Sequence, residues 1–169
     1  MKKILLVALA LLVLTVSVAA AEGEVKIGQV QYAAHGTKCF AVLTVAMQGD
    51  VIADAYIDEY QFMATGSVGV PNSEADFGQS FPEGKVLASK KVNAESYSAN
   101  MAAKAGSTVS LADNYAAIED FVTGKTIAEV EAAFEGKTAE EAVDVVSGCT
   151  LVDTLGYVKG LVEAAKAAK

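Results

Sequence analysis

Two apolar, β-branched runs, residues 40–47 and 51–58, are separated by the turn-forming triplet Gln48-Gly49-Asp50. The second run places Asp54 and Asp58 on one face, as a period of two requires. This pattern predicts a β-hairpin closed by a short glycine-containing loop. An earlier stretch, 28–33, is a candidate third strand. From 64 to 87 the periodicity disappears, and both prolines, Pro71 and Pro82, fall there with Gly66, Gly69, Gly78 and Gly84. That segment reads as a long irregular loop, of the kind that usually carries function or motion in a compact domain. Phe77 and Phe81 are expected to staple it to the core.

The second half carries helix punctuation. Asn93 can cap a helix through Lys104, with Tyr97 and Met101 four apart and Gly106 past the end. Ser110 and Asp113 have capping spacing, and Leu111, Tyr115, Ile118 and Val122 form one stripe that stops at Gly124. Thr126 with Glu129, and Thr138 with Glu141, both match the capping box. Ile127, Val130 and Phe134 make an apolar face ending at Gly136. A last helix starts at Asp153 or Thr154, with Leu155, Val158 and Val162 inward and Lys166 and Lys169 near its C-terminal dipole. Strands first and helices after them imply an α+β fold, an antiparallel sheet packed with helices.

The N-terminus belongs to a different pattern. Lys2 and Lys3 precede an uncharged apolar run, 4–18, and Ala19-Ala20-Ala21 supplies small residues before Glu22. This is the layout of a secretory signal peptide cleaved after Ala21, leaving 22–169 as one exported domain, periplasmic or extracellular. The run lies at the short edge of the ~17–25 residues that span a bilayer. Left uncleaved, it would hold the protein at the membrane.

Charge narrows the partners. The 169 residues carry a formal net charge of −8 and contain neither arginine nor tryptophan. Such an acidic surface argues against nucleic acid and against recognition of free phosphate by guanidinium forks. A phosphate held here would rest on backbone N–H groups or on a covalent bond. Two cysteines, Cys39 and Cys149, leave a disulfide open in an exported chain.

Between the last two helical segments the chain reads Asp144-Val145-Val146-Ser147-Gly148-Cys149-Thr150. As a connector, its small residues would cap helices and supply a positive φ. The motif also resembles the flavin-attachment signature of the FMN-binding domain family: Asp, two variable residues, Ser or Thr, Gly, Ala, then Thr or Ser. The stretches YIDEYQF, GVPNS, VLASKKVN, YSANM and VSGCTLVDTLGYV extend the likeness to small exported members of that family. The resemblance implies FMN joined by a phosphodiester to Thr150, with Asp144, Ser147, Gly148 and Cys149 in the motif's other places. It implies a flavin transferase as the attaching partner, which moves FMN from FAD and releases AMP. It implies an electron carrier, rather than a self-contained enzyme, between a membrane-bound donor and an extracytoplasmic acceptor. The chain departs from the pattern in two places. Cys149 stands where the family usually has Ala, and Val152-Asp153 where the ion-pump subunits often have Thr-Ser.

These residue types suit that chemistry. Gly148 frees the backbone beside the hydroxyl, and the following helix offers N–H groups and a positive dipole end to a phosphate. Tyr97, Met101 and the Asn93 region are candidates for the ring's surroundings by analogy, while their spacing fits ordinary helix packing equally well. His35, the single histidine, has no partners at metal-ligand spacing, and one histidine assembles no hydrolytic triad. Asp54, Asp58 and Glu59 read as a solvated acidic strand edge. The alternative to a flavoprotein is a non-redox ligand- or partner-binding module that has lost flavinylation. A flavin-dependent reductase with its own substrate is a weaker third.

Overall fold

A computed structural model describes residues 23–169. The signal-peptide reading of residues 1–21 lies outside the described residues. The sheet has four antiparallel strands in sequence order: β1 (Val25–Tyr32), β2 (Cys39–Gln48), β3 (Val51–Ala64) and β4 (Lys85–Ser89). Five helices follow: α1 (Ala94–Ala105), α2 (Leu111–Val122), α3 (Ile127–Phe134), α4 (Ala139–Val143) and α5 (Thr154–Lys166). The fold is therefore α+β, as the order of patterns implies.

The β2–β3 hairpin closes at Gly49, whose φ of 61° is the left-handed conformation that favours glycine. A bulge at Ala46/Met47 shifts the register, and inward positions resume with Ala55 and Ile57. β3 runs further than the pattern at 51–58 implies, to Ala64, because β4 pairs with its far end from Tyr60↔Ser89 to Ala64↔Lys85. The irregular loop is shortened at both ends accordingly. Phe81 packs edge-on against Phe62 of β3 at 5.1 Å and against Phe77 at 5.2 Å, so the loop is held not to the core but to the outer face of the sheet, where Phe62 and Phe77 stay exposed.

Helix α5 lies on β1 and β2, α2 lies on β3, and α3 and α4 pack against α5. One core joins them, with Leu43, Val45, Ile57, Ile118 and Leu161 fully buried. α5 approaches the sheet so closely that only glycine fits the seam. A Cβ at Gly28 would strike the Ala164 carbonyl, one at Gly156 the Ala34 carbonyl, and one at Gly160 the Leu43 side chain. Both capping boxes form, at Thr126–Glu129 and Thr138–Glu141, and Ser110 accepts from the Asp113 N–H. Asn93 and Asp153 occupy N-cap positions but make no side-chain cap. Each has a longer-range partner instead. The Asn93 amide is bonded to Val68 and Ser89, and Asp153 pairs with His35.

Candidate functional site

The motif forms the link between α4 and α5. Asp144 is the exposed C-cap of α4, and Val146 turns back into the core. Ser147 and Gly148 are exposed, and Gly148 takes a φ of 85°. A Cβ there would meet nothing nearer than Ala117 at 3.9 Å, so its conformation, not its lack of bulk, calls for glycine. Cys149 is buried, its Sγ 3.1 Å from the Thr154 hydroxyl. Thr150 then emerges, exposed.

The side chain of Asn114 fixes Thr150. Its Oδ1 accepts the Thr150 N–H at 2.6 Å and the Thr150 hydroxyl at 3.3 Å. Its amide in turn donates to the carbonyls of Ser110 and Val109 at the start of α2. Asn114 is fully buried, and every polar atom of its side chain is engaged. Its place in the inward stripe, one residue before Tyr115, was a readable sign that a polar group belongs inside.

Of the five motif residues, Thr150 lines a cleft of about 480 Å³ between α1 and the entry to α5. Ser147 and Gly148 open instead onto a shallower hollow against α2. Tyr97 and Met101 on α1 form a wall of the cleft, and Leu151 and Val152 lie beside Thr150. His35 Nδ1 and the Asp153 carboxylate are hydrogen-bonded at one side, and the Asp153 side chain makes no cap on α5. α1 differs from the other helices in burying no residue fully, so its apolar wall is only half covered. A larger groove, about 1010 Å³, runs between α3 and α5 past Phe134 and Val158. It contains none of the motif residues.

Beneath the cleft lies a group that the acidic-edge reading missed. Glu59 is not solvated: it is wholly buried, as is Lys90. Strand parity explains it, since Ala55, Ile57 and Glu59 share the inward face of β3, whereas Asp54 and Asp58 share the outer one. Glu59 Oε2 accepts from Lys90 Nζ at 2.5 Å, from Tyr157 at 2.9 Å and from Tyr115 at 3.1 Å. Cys39 donates to its other oxygen at 3.4 Å, while Lys90 Nζ lies 3.5 Å from the same sulfur. Lys90 Nζ also sits 5.0 Å from the centre of the Tyr97 ring. Burial opposes the ammonium, but the hydrogen bond and charge of Glu59 outweigh it and hold Lys90 above its ordinary value. Burial pushes the Tyr115 and Tyr157 phenols upward, and the carboxylate adds to this. Burial also raises the Cys39 thiol, again with Glu59 adding. Cys39 and Cys149 are both free thiols with separate partners.

No family model matches this chain, and neither a curated protein nor a solved structure matches it.

Proposed function

We propose that this chain is an exported flavoprotein that carries FMN on Thr150 and relays electrons between a membrane-bound donor and an extracytoplasmic acceptor. One observation carries the reading. The hydroxyl at the motif's last position stands exposed on the rim of a cleft whose facing wall is Tyr97 and Met101.

The donor set fits the group. A cleft of about 480 Å³ falls within the ~300–1,000 Å³ of small-molecule and cofactor sites. Its lining offers apolar and aromatic surface to a planar ring, and its one carboxylate, Asp153, is engaged by His35. The Asp153 side chain does not cap α5, and although the Thr154 and Gly156 N–H groups bond the carbonyls of Leu151 and Asp153, the positive dipole end of the helix still faces the Thr150 side of the link. Asn114 Oδ1 accepts hydrogen bonds from the Thr150 N–H and the Thr150 hydroxyl, which fixes that hydroxyl at the rim of the cleft. Cys149, which departs from the family pattern, keeps its thiol on Thr154 and off the cleft. Attachment breaks the phosphoanhydride of FAD. The Thr150 oxygen bonds to the flavin-side phosphorus, AMP leaves and the hydroxyl proton is released. The attached ring would supply reversible electron transfer, while the protein supplies position and electrostatics.

The test is intact mass after co-expression of the full chain with a bacterial flavin transferase. A gain of one FMN less one water, absent from Thr150→Ala, is the expected result. The same spectrum reads the N-terminus, expected at Glu22. No gain beside an active transferase overturns the proposal. FMN released on denaturation would then mark a non-covalent flavoprotein, and no flavin a non-redox binding module.

A further inference from the structure

The geometry points to Lys90 as the residue that sets the reduction potential of the cleft, by presenting the positive end of a buried ion pair to the ring. The inference rests on the flavin reading above and adds a residue the motif does not contain.

A lysine and a glutamate removed from water need a strong reason to be there. Each loses hydration that their mutual attraction barely restores, and an apolar pair of similar volume is often no less stable. Here the pair is 1% and 0% exposed, at the junction of the sheet and the helices. The two ends are supported unequally. Glu59 receives hydrogen bonds from Lys90, Tyr115, Tyr157 and Cys39, so its charge is spread over four donors. Lys90 has Glu59, the Cys39 sulfur and the face of Tyr97. They also differ in position. Lys90 lines the cleft and Glu59 does not. Lys90 therefore brings the positive member of the pair to the cleft wall, beside Tyr97 and Tyr157, whereas Glu59 and Tyr115 do not reach it. Lys90 is the one lysine among the residues lining the cleft, in a chain with no arginine.

A positive charge in a site shielded from water acts strongly on charge that develops nearby. Two electrons from a reduced donor and one proton from solvent leave a flavin ring with one added negative charge, and the donor is oxidised by the same two electrons. Lys90 stabilises that state over the neutral oxidised one and so raises the potential. Its role is electrostatic positioning of charge, with no proton passing through it.

The test uses full-length, flavinylated protein and a spectroscopic dithionite titration against reference dyes at fixed pH. Lys90→Met is expected to lower the midpoint potential by at least tenfold in the oxidised–reduced equilibrium, ~30 mV for a two-electron couple. Because that variant strands Glu59, Lys90→Met/Glu59→Gln is titrated beside it. This neutral pair should fold, carry flavin and show a lowered potential as well. Lys91→Met, whose partner Glu119 and neighbour Tyr56 lie outside the cleft, is the control and should leave the potential within threefold of the parent. A double variant that carries covalent flavin at the parent potential overturns the role of Lys90 and leaves the flavin reading standing. A parent protein without the mass gain overturns both.

Discussion

The two ends of the helical layer are built on different terms. Away from Tyr115 and Tyr157, α2 and α5 meet the sheet through apolar side chains: Leu43, Val45, Ile57, Ile118 and Leu161 are all fully buried in one hydrophobic cluster. Where α1 lies, the floor is a lysine, a glutamate, two phenols and a thiol, and the helix above buries no residue fully. The first end secures the fold. The second tolerates exposed apolar wall and buried charge together, a pairing that makes sense where something else is meant to complete the packing.

Breaking each end should cost stability for a different reason. Glu59→Ala strands Lys90 without a counter-ion and should destabilise by ~3–5 kcal/mol. Leu161→Ala at the dry end should cost ~2–5 kcal/mol through its cavity. Urea unfolding measures both. Replacing Lys90 and Glu59 together separates the two causes, since the neutral pair should recover most of the first loss whereas nothing nearby refills the second. Alkaline titration isolates the polar end. Tyr115 and Tyr157 ionise near 10.0 when unfolded but stay protonated in the fold, and Lys90 holds its proton beyond its ordinary 10.5. Above those values the unfolded chain binds fewer protons than the native one. Stability is thus fully present below about pH 10 and falls as pH rises, by about 1.4 kcal/mol per pH unit for each group. Tyr157→Phe should reduce that slope, and Leu161→Ala should leave it unchanged. The smallest effect is expected on α1, where Met101→Ala removes a half-covered side chain and should cost about 1 kcal/mol or less. A loss as large as that of Leu161→Ala would erase the contrast.

What could be read from the chain follows the same division. Local chemistry was legible: the Gly49 turn, the two Thr–Glu capping boxes and the glycine helix stops need only neighbours a few residues away. β4 was not, because five residues after a proline- and glycine-rich loop become a strand only by pairing with the far end of β3. Asn93 and Asp153 misled for a related reason. Each stands at a helix start with a suitable side chain, but a distant partner claims it: Val68 in one case, His35 in the other. At the cleft, the motif marked Thr150, and the analogy marked Tyr97 and Met101, which do share a cavity with it. Glu59 was hidden among acidic neighbours although its parity with Ile57 placed it inward. Lys90 left no local sign at all, because nothing near it in sequence tells that a carboxylate 31 residues earlier awaits it.

The glycine seam under α5 has a consequence for timing. Gly156 and Gly160 seat the helix against Ala34 and Leu43 with no slack, so the stretch that leads into it is registered to the sheet. The Asn114 anchor at Thr150 exists only when α2 is also in place. An enzyme that modifies Thr150 in this arrangement meets a finished surface rather than a flexible peptide. If Thr150 carries flavin as proposed, maturation follows folding, and a chain that misfolds presents no substrate.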